Sequence, residues 1–278
     1  MVNVVKFSII TVSYNAAATI EQTISSVVNQ RYKDIEYIII DGGSTDGTVD
    51  IIQKYADKIA YWVSEPEKGI YDAMNKGIKA ATGDYIQIIG SDDCLYDSDT
   101  ISKVAKNIQS DEEHSGGLAD IYSYGIYGVD DGKHIEKYAG NAHAKNNPDN
   151  HDMIPHGGMF VKRSIYLDNL FDISYKISAD YKFFLTCFMN HEIKFKFFDM
   201  PVMYFSLAGM SSVNEEKAVK ENTQIYDELG ISFVGWKFYI KKVMRMCGLF
   251  SLVEWRRNKI GWRKHQCSNK ICRWCGRL

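Results

Sequence analysis

The stretch Ile86-Gln-Ile-Ile-Gly-Ser-Asp-Asp-Cys-Leu95 places two neighbouring carboxylates directly after an apolar strand pattern. Carboxylates are hard oxygen ligands that suit Mg²⁺ or Mn²⁺, and such ions commonly bind one or two protein carboxylates while phosphate oxygens of a ligand complete the coordination. Asp92 and Asp93 are therefore candidate metal ligands. The alternative is a solvated turn or a helix N-cap, which is what most such pairs are.

The chain around this stretch predicts an α/β fold with a Rossmann-like, mixed but mostly parallel sheet flanked by helices. From residue 7 to about residue 90, short β-rich apolar runs alternate with segments of helical period, which is typical of parallel strands joined by crossover helices. The predicted strands are Phe7–Tyr14, Glu36–Ile40, Ala60–Val63 and Tyr85–Ile89. The predicted helices are Ala17–Gln30, Asp46–Ala56 and Ile70–Ala81.

Polar residues follow each of these four strands. In open α/β sheets, ligands bind beyond the carboxyl ends of the strands, so we expect these residues to face one crevice. They are Ser13-Tyr14-Asn15, Asp41-Gly42-Gly43, Glu65-Pro66 and Ser91-Asp92-Asp93.

Beyond residue 95 the pattern becomes mixed. A polar stretch, Asn141–Asp152, has no clear period, as is common for functional loops, and it is followed later by a second loop, Leu207–Val213. The other predicted elements are helices near Asp99–Gln109 and Ser178–Asn190, antiparallel strands near Asp120–Tyr127 and His134–Tyr138, and strands near Lys194–Phe198 and Val202–Phe205.

The charge of the chain is unevenly distributed. Residues 236–278 carry twelve Lys and Arg against one acidic residue, Glu254, which leaves the first 235 residues with a net charge of −13. A basic tail on an acidic body indicates an anionic partner, either a membrane surface or a nucleic acid. A hydrophobic content of 45% over 278 residues is enough for a full core and excludes a disordered protein.

The sequence also predicts a cytoplasmic location. No apolar stretch is long enough to cross a bilayer, and the N-terminus Met1–Phe7 runs into a strand pattern without the layout of a signal peptide. Six cysteines, of which Cys94 and Cys187 are isolated, do not resemble the disulfide framework of a small secreted domain.

Four segments occur in a characteristic order and spacing. They are Phe7-Ser-Ile-Ile-Thr-Val-Ser-Tyr-Asn15, Ile39-Ile-Asp-Gly-Gly-Ser-Thr-Asp-Gly-Thr48, Gly69-Ile-Tyr-Asp-Ala-Met-Asn-Lys-Gly-Ile78 and Gly83-Asp-Tyr-Ile-Gln-Ile-Ile-Gly-Ser-Asp-Asp93. Together they resemble the family 2 glycosyltransferases, closely up to residue 95 and more loosely to about residue 210. The resemblance implies a GT-A fold over residues 1–213, followed by a basic helical extension over residues 214–278. It also implies inverting transfer of one sugar from a nucleotide-diphosphate donor, usually a UDP-sugar.

The resemblance implies donor contacts at the ends of the first two strands. Thr11, Ser13 and Tyr14 would hold the base or the ribose, Tyr14 by stacking, unless that ring is an ordinary half-buried aromatic. Asp41 would accept a hydrogen bond from the base, for which the N3–H of uracil fits. Its alternative is an Asx-turn that leads into the following glycines.

Later segments add Asp72, Ser91 and Asp92 to the implied donor site. Asp72 lies four residues before Lys76 on a predicted helix, so an ion pair between the two is the structural alternative. Many relatives carry an Asp where this chain has Gly90, which puts one ribose or metal contact in doubt. Either Asp92 or the next residue would hold the Mn²⁺ or Mg²⁺ that neutralises the departing diphosphate.

An inverting transfer also needs a base that takes the proton of the acceptor hydroxyl. In similar enzymes this base is an Asp in an acidic doublet at the start of a helix, and the matching residue is Asp180, with Ala179 in place of the first acidic residue. The alternative is a first-turn carboxylate favoured by the helix dipole. His156 matches a segment that relatives use near the acceptor or the diphosphate, or it is a structural histidine.

Residues 233–278 predict contact with an anionic membrane surface, because aromatic and aliphatic residues alternate there with Lys and Arg. The implied acceptor is a glycan or a lipid-linked oligosaccharide in cell-surface polysaccharide synthesis, which fits a peripheral position at the inner face of the cell membrane, and no nucleic acid is expected. The alternative is a solvated basic helix on the acidic body. Cys267, Cys272 and Cys275, with His265, leave zinc and free thiols open.

Two other functions stay open. A nucleotidyltransferase that makes nucleotide sugars shares the alternating start, but it typically has a glycine-rich N-terminal loop with Arg and Lys, which Ser13–Ala18 lacks. A non-catalytic nucleotide-sugar-binding module would use the same crevice without a base. A processive synthase is not expected, because the Gln-x-x-Arg-Trp segment and the transmembrane helices of those relatives are missing.

Overall fold

A computed structural model describes residues 4–115, 117–130, 135–139, 156–207, 215–231 and 264–266. Within these ranges, ten strands form one sheet. The strands are β1 (Phe7–Ser13), β2 (Ile35–Asp41), β3 (Tyr61–Ser64), β4 (Tyr85–Gly90), β5 (Cys94–Leu95), β6 (Ile121–Asp130), β7 (Ile135–Ala139), β8 (Met159–Lys162), β9 (Phe195–Ser206) and β10 (Lys264–Gln266). The helices are α1 (Ile20–Val28), α2 (Thr48–Lys54), α3 (Ile70–Ala80), α4 (Thr100–Ser115), α5 (Arg163–Asp168), α6 (Ala179–Met189) and α7 (Glu215–Glu228), with 3₁₀ turns at Ala56–Lys58 and His156–Gly158.

The first four strands form the parallel half of the sheet, in the spatial order β4-β1-β2-β3. Their register places Ser13 beside Asp41 and Asp41 beside Ser64, so the carboxyl ends of three strands meet at one edge. Every residue of β1 is buried, as expected for a parallel strand that is covered on both faces. The predicted alternation of strands and crossover helices is confirmed.

The second half of the sheet is mixed. Strand β8 pairs antiparallel with β4 and with β6. Strand β6 pairs antiparallel with β7, as the sequence predicted. The two strands predicted at Lys194–Phe198 and Val202–Phe205 are wrong, because the chain forms one strand, β9, parallel to β6. A register shift around Tyr124 and Gly125 absorbs the irregular residues between the two predicted runs without ending the strand.

The hydrophobic core has two parts, one on each face of the sheet. Ile10 lies in the part covered by α3 and α6, while its neighbour Ile9 lies in the part covered by α1 and α4. This alternation follows from the two-residue period of a strand. Cys94 and Cys187 are buried free thiols. No helix in the described ranges is both long enough and apolar enough to span a membrane.

Helix α7 packs on the same body as the sheet. Its Ile225 is fully buried in the part of the core that contains Phe183 of α6. Residues 215–231, which the sequence assigned to the C-terminal extension, therefore contact the domain directly. The tail residues 233–263 and 267–278, with Cys267, Cys272 and Cys275, lie outside the described residues, as do residues 141–152 and 208–213 of the two predicted loops.

Gly83 lies where the chain approaches β1 before entering β4. A Cβ atom at this position would lie 2.6 Å from the backbone nitrogen of Ser8. We expect Gly83→Ala to lower the free energy of unfolding by about 1–3 kcal/mol, because the central strand would have to shift. Urea denaturation measures this, with Gly117→Ala as the control, since a Cβ there meets no atom within 4 Å. Equal effects of the two substitutions would contradict the prediction.

Candidate functional site

The loops that follow β1 and β2 are joined to each other at the edge of the sheet. The backbone N–H of Asn15 donates to the hydroxyl of Ser44 at 2.7 Å, and the N–H of Thr45 donates to Oδ1 of Asn15 at 3.0 Å. Asn15 has a φ of 48°, in the left-handed region that Asn tolerates better than most residues. These bonds hold the two loops together as one wall of the crevice.

Asp41 is fully buried inside this wall. Its carboxylate accepts hydrogen bonds from the hydroxyls of Ser13, Ser44 and Ser64, and from the backbone N–H groups of Gly43 and Ser44. Burial alone would raise the pKa of Asp41, but the hydrogen bonds outweigh it and lower the pKa below its ordinary value. The geometry therefore supports the turn-forming alternative, and it does not leave Asp41 open to a nucleobase.

The three residues predicted at the end of β1 differ in accessibility. Thr11 is fully buried, with its hydroxyl 3.0 Å from that of Tyr37, so its side chain does not reach the crevice in this conformation. Ser13 is also buried and donates to Asp41 at 2.9 Å. Tyr14, by contrast, is 67% exposed and has a ring surface that is open to a planar ligand.

Asp72 closes the turn that leads into α3. Its Oδ2 accepts a hydrogen bond from the backbone N–H of Lys68 at 3.1 Å, which lowers the pKa of Asp72. The structural alternative for Asp72 was an ion pair with Lys76. In the structure, the ammonium of Lys76 instead pairs with Glu65 and Glu67. Asp72 is partly exposed, so a donor contact stays a prediction.

The two carboxylates after β4 have different environments. Asp93 is 3% exposed, and its oxygens accept hydrogen bonds from the backbone N–H groups of Gly90 at 2.8 Å and Ser206 at 3.1 Å. Burial, together with the charge of Asp92, raises the pKa of Asp93 to about 7. Asp92 and Ser91 are partly exposed, and no other described side chain or backbone group hydrogen-bonds to their side chains. Asp93 thus anchors the turn, while Asp92 is open to a ligand.

Gly90 explains how Asp92 fits into this turn. A Cβ atom at Gly90 would lie 2.8 Å from Oδ1 of Asp92 and 3.0 Å from Oδ2 of Asp93. Both carboxylates therefore fold back over Gly90 and fill the space that a side chain at this position would need.

His156 begins the 3₁₀ turn that lies against the end of β4. The side-chain amide of Gln87 donates to the carbonyl of Gly157 at 2.7 Å and fixes the turn on the strand. Nε2 of His156 is buried without a hydrogen-bond partner in the described part of the chain. Burial lowers the pKa of His156, although the nearby charge of Asp180 opposes this, so the neutral imidazole is favoured.

Asp180 lies in the first turn of α6, next to His156. Its Oδ1 accepts hydrogen bonds from the hydroxyl of Tyr71 and from the backbone N–H of Tyr181, both at 2.9 Å. Burial raises the pKa of Asp180, and the influence of His156 and of the Tyr71 hydroxyl only partly offsets that rise. Because both bonds end on Oδ1, the other oxygen has no partner among the described residues.

Tyr71 is a site residue that sequence reasoning missed. The sequence singled out its neighbour Asp72, but Tyr71 points inward, is 6% exposed, and also lies 2.6 Å from the carbonyl of Ile177. Burial and the charge of Asp180 raise the pKa of Tyr71 far above its ordinary value, so the phenol keeps its single proton, which Asp180 and the carbonyl of Ile177 share as acceptors. The feature of the sequence that could have identified Tyr71 was its position inside the Gly69–Ile78 segment.

Asp92 thus follows the carboxyl end of β4, the His156 turn packs on the same strand, and His156 is near enough to Asp180 for each to affect the pKa of the other. No group of three or more His, Cys, Asp or Glu side chains suited to a metal occurs in the part of the chain that the structure describes. A single open carboxylate fits Mg²⁺ or Mn²⁺ when phosphate oxygens of a ligand supply further coordination. On this donor set, Asp92 fits such an ion better than Asp93, whose two oxygens are occupied by backbone N–H groups.

Comparisons with known proteins agree with this architecture. The family model described as Glycosyl transferase family 2 matches residues 8–171. A PGL/p-HBAD biosynthesis glycosyltransferase of Mycobacterium tuberculosis is 28% identical over 270 residues, which cover 91% of this chain and 98% of that protein.

Two solved structures are similar in fold. S. aureus TarS 1-349 in complex with UDP-GlcNAc has a TM-score of 0.63 at 19% identity, over 92% of this chain and 73% of that one. Mannosyltransferase PcManGT from Pyrobaculum calidifontis, in complex with GDP-Man and Mn²⁺, has a TM-score of 0.58 at 17% identity, over 81% of this chain and 64% of that one. The implied GT-A fold is confirmed.

The two neighbouring carboxylates are expected to respond differently to removal. Asp93→Ala should lower the free energy of unfolding by about 1–3 kcal/mol, because two backbone N–H groups lose their acceptor, even though the repulsion with Asp92 is relieved. Asp92→Ala should change it by less than about 0.5 kcal/mol, as is usual for open surface positions. Chemical denaturation of both variants measures the difference. A larger loss of stability in Asp92→Ala than in Asp93→Ala would overturn the assignment of anchor and open ligand.

Proposed function

The chain belongs to glycosyltransferase family 2, and on that premise we propose that it moves one sugar from a nucleotide-diphosphate sugar to a hydroxyl group with inversion at the anomeric carbon. The observation that carries the proposal is the placement of the Asp180 carboxylate. One of its oxygens is held by Tyr71 and by the N–H of Tyr181, and the other is open. It lies beside His156, for which the neutral form is favoured, and on the same edge of the sheet as Asp92.

Asp180 is the proposed base. Its free oxygen, Oδ2, takes the proton of the acceptor hydroxyl as that oxygen attacks the anomeric carbon and the bond from this carbon to the diphosphate breaks. The raised pKa of Asp180 makes it a stronger base than an exposed carboxylate, and the Tyr71 hydrogen bond offsets part of that rise. Attack from the side opposite the leaving group gives inversion.

Asp92 is the proposed protein ligand of a divalent ion, Mn²⁺ or Mg²⁺. When bound, such an ion supplies positive charge that stabilises the departing diphosphate. Asp93 holds the turn that presents Asp92, through its bonds to Gly90 and Ser206. The complex of PcManGT with GDP-Man and Mn²⁺ supports a divalent ion in this fold, and the choice of ion for this chain is part of the proposal.

For the donor we favour a UDP-sugar that carries a hexose or an N-acetylhexosamine, in line with the UDP and UDP-GlcNAc complexes of TarS. Tyr14 would stack on the base, and Ser91 and Asp72 would contact the ribose or the sugar, since all three are accessible. The wall of the crevice behind these residues would be shaped by Thr11, Ser13 and Asp41. The neutral Nε2 of His156 would bond to a diphosphate oxygen or to the acceptor hydroxyl.

For the acceptor we propose a glycan or a lipid-linked oligosaccharide of cell-surface polysaccharide synthesis, at the inner face of the cell membrane. The similarity to a PGL/p-HBAD biosynthesis glycosyltransferase supports an acceptor of the cell envelope. The basic residues of 233–278 would hold the enzyme on anionic lipids. Cosedimentation with phosphatidylserine vesicles tests this, and equal binding to neutral vesicles would argue against it.

The nucleotide released from the donor tests the reaction class. Purified protein is incubated with UDP-, GDP- and dTDP-sugars, with and without Mn²⁺, and the products are separated while thermal unfolding is followed in parallel. We expect one donor to raise the midpoint of unfolding and to release its nucleoside diphosphate. Release of pyrophosphate from UTP and a sugar phosphate would instead indicate a nucleotidyltransferase. Stabilisation by a donor that is never turned over would indicate a binding module.

The Tyr71 hydrogen bond predicts a change in the pH dependence of turnover. Its loss in Tyr71→Phe should raise the pKa of Asp180 further, so the acidic limb of the kcat/KM profile should move to higher pH by about one to two units, since hydrogen bonds to charged groups are worth roughly 1.5–3 kcal/mol. Tyr166→Phe is the matched control, because the buried Tyr166 hydroxyl has no hydrogen-bond partner in the described ranges. A limb that stays in place in Tyr71→Phe, or moves equally in both variants, would count against this role.

A further inference from the structure

Glu221 of helix α7 binds the backbone just before the helix that carries Asp180. Its side chain is largely buried, with 9% of the residue exposed. Oε2 accepts hydrogen bonds from the N–H groups of Ile177 at 2.9 Å and Ser178 at 3.0 Å. The N–H of Lys176 donates to the same carboxylate, 3.1 Å from Oε1 and 3.3 Å from Oε2. Three successive N–H groups therefore converge on one carboxylate.

These N–H groups belong to the three residues just before α6, and a backbone N–H that is shielded from water needs an acceptor. Ser178 occupies the N-cap position of α6, but its side chain makes no capping hydrogen bond. Glu221, from a helix that is 43 residues further along the chain, instead fixes the segment that leads into α6 by accepting the N–H of Ser178 and of the two residues before it. A negative charge near a helix N-terminus is also favoured by the helix dipole.

The same short segment is held from its other side by Tyr71. The Tyr71 hydroxyl lies 2.6 Å from the carbonyl of Ile177 and 2.9 Å from Oδ1 of Asp180. Side chains from α3 and from α7 thus grip residues 176–180 between them. Because Asp180 is two residues beyond Ser178, a shift of the gripped backbone would turn its carboxylate.

We propose that Glu221 is a positioning residue for sugar transfer, which fixes the backbone of residues 176–178 and thereby the direction in which the Asp180 carboxylate points. The inference rests on the proposed function of Asp180 as the base. It adds a residue of helix α7, beyond the matched range 8–171, to the residues on which the reaction depends.

Helix α7 does not depend on Glu221 alone for its attachment. Lys182 of α6 forms an ion pair with Glu228 at 2.7 Å, and the hydroxyls of Tyr181 and Tyr226 lie 2.7 Å apart. The buried Ile225 adds an apolar contact. A substitution that removes only the charge of Glu221 should therefore leave the helix docked while loosening residues 176–178.

The test compares Glu221→Gln with Glu216→Gln, which removes an exposed carboxylate from the same helix. Full-length variants are assayed with the donor that the wild type turns over. We expect Glu221→Gln to lower kcat by about ten- to a hundredfold, because small displacements of a catalytic group are costly, while the KM for the donor stays within about twofold. The donor-induced rise in unfolding temperature should persist, and Glu216→Gln should behave as the wild type.

A second readout separates positioning from general stabilisation. If Glu221 and Tyr71 both act by orienting Asp180, the double variant Glu221→Gln with Tyr71→Phe should lose much less activity than the product of the two single losses. Losses that multiply, or a kcat of Glu221→Gln within twofold of the wild type, would overturn the inference while leaving the proposed function intact. A wild type that releases no nucleoside diphosphate from any donor would instead refute the proposed function, and the inference with it.

Discussion

The hydrogen bond from Tyr71 to Asp180 joins the two halves of the domain at the crevice. Tyr71 belongs to the crossover helix that follows β3, and Asp180 begins a helix of the mixed half, 109 residues further along the chain. A buried carboxylate is costly unless it is hydrogen-bonded, and the phenol provides that bond without being able to accept the proton itself. One oxygen of Asp180 is thereby fixed, while the other has no partner among the described residues.

Five of the described carboxylates on which the site depends are of two kinds. Asp41, Asp93 and Glu221 are buried, and each accepts bonds from two or more backbone N–H groups, so they determine the shape of the chain around them. Asp92 and Asp180 retain oxygens without partners in the described ranges, and they are the groups that we assign to the ligand. Charge-assisted bonds to backbone N–H groups are strong, which makes the first kind suitable for holding the second in place.

The sequence predicted the parallel half of the fold because each strand there is a short apolar run and each helix shows the helical period of apolar residues. It also predicted the edge of the sheet at which Asp92 lies. It did not predict that the hydroxyls of Ser13 and Ser64 would enclose Asp41, because this depends on the register of β1, β2 and β3 rather than on local spacing. Glu221 resembles any surface Glu of an amphipathic helix, and only its tertiary partners distinguish it.

The most direct measurement is the turnover of Asp180→Asn, made alongside the donor-induced shift in its unfolding temperature. The amide is nearly isosteric with the carboxylate, so the variant should keep the shift that the wild type shows, while its kcat should fall by about two to four orders of magnitude because no base remains for the acceptor hydroxyl. An Asp180→Asn variant that transfers sugar at a rate close to that of the wild type would contradict the assignment of Asp180, and with it the account of how the crevice works.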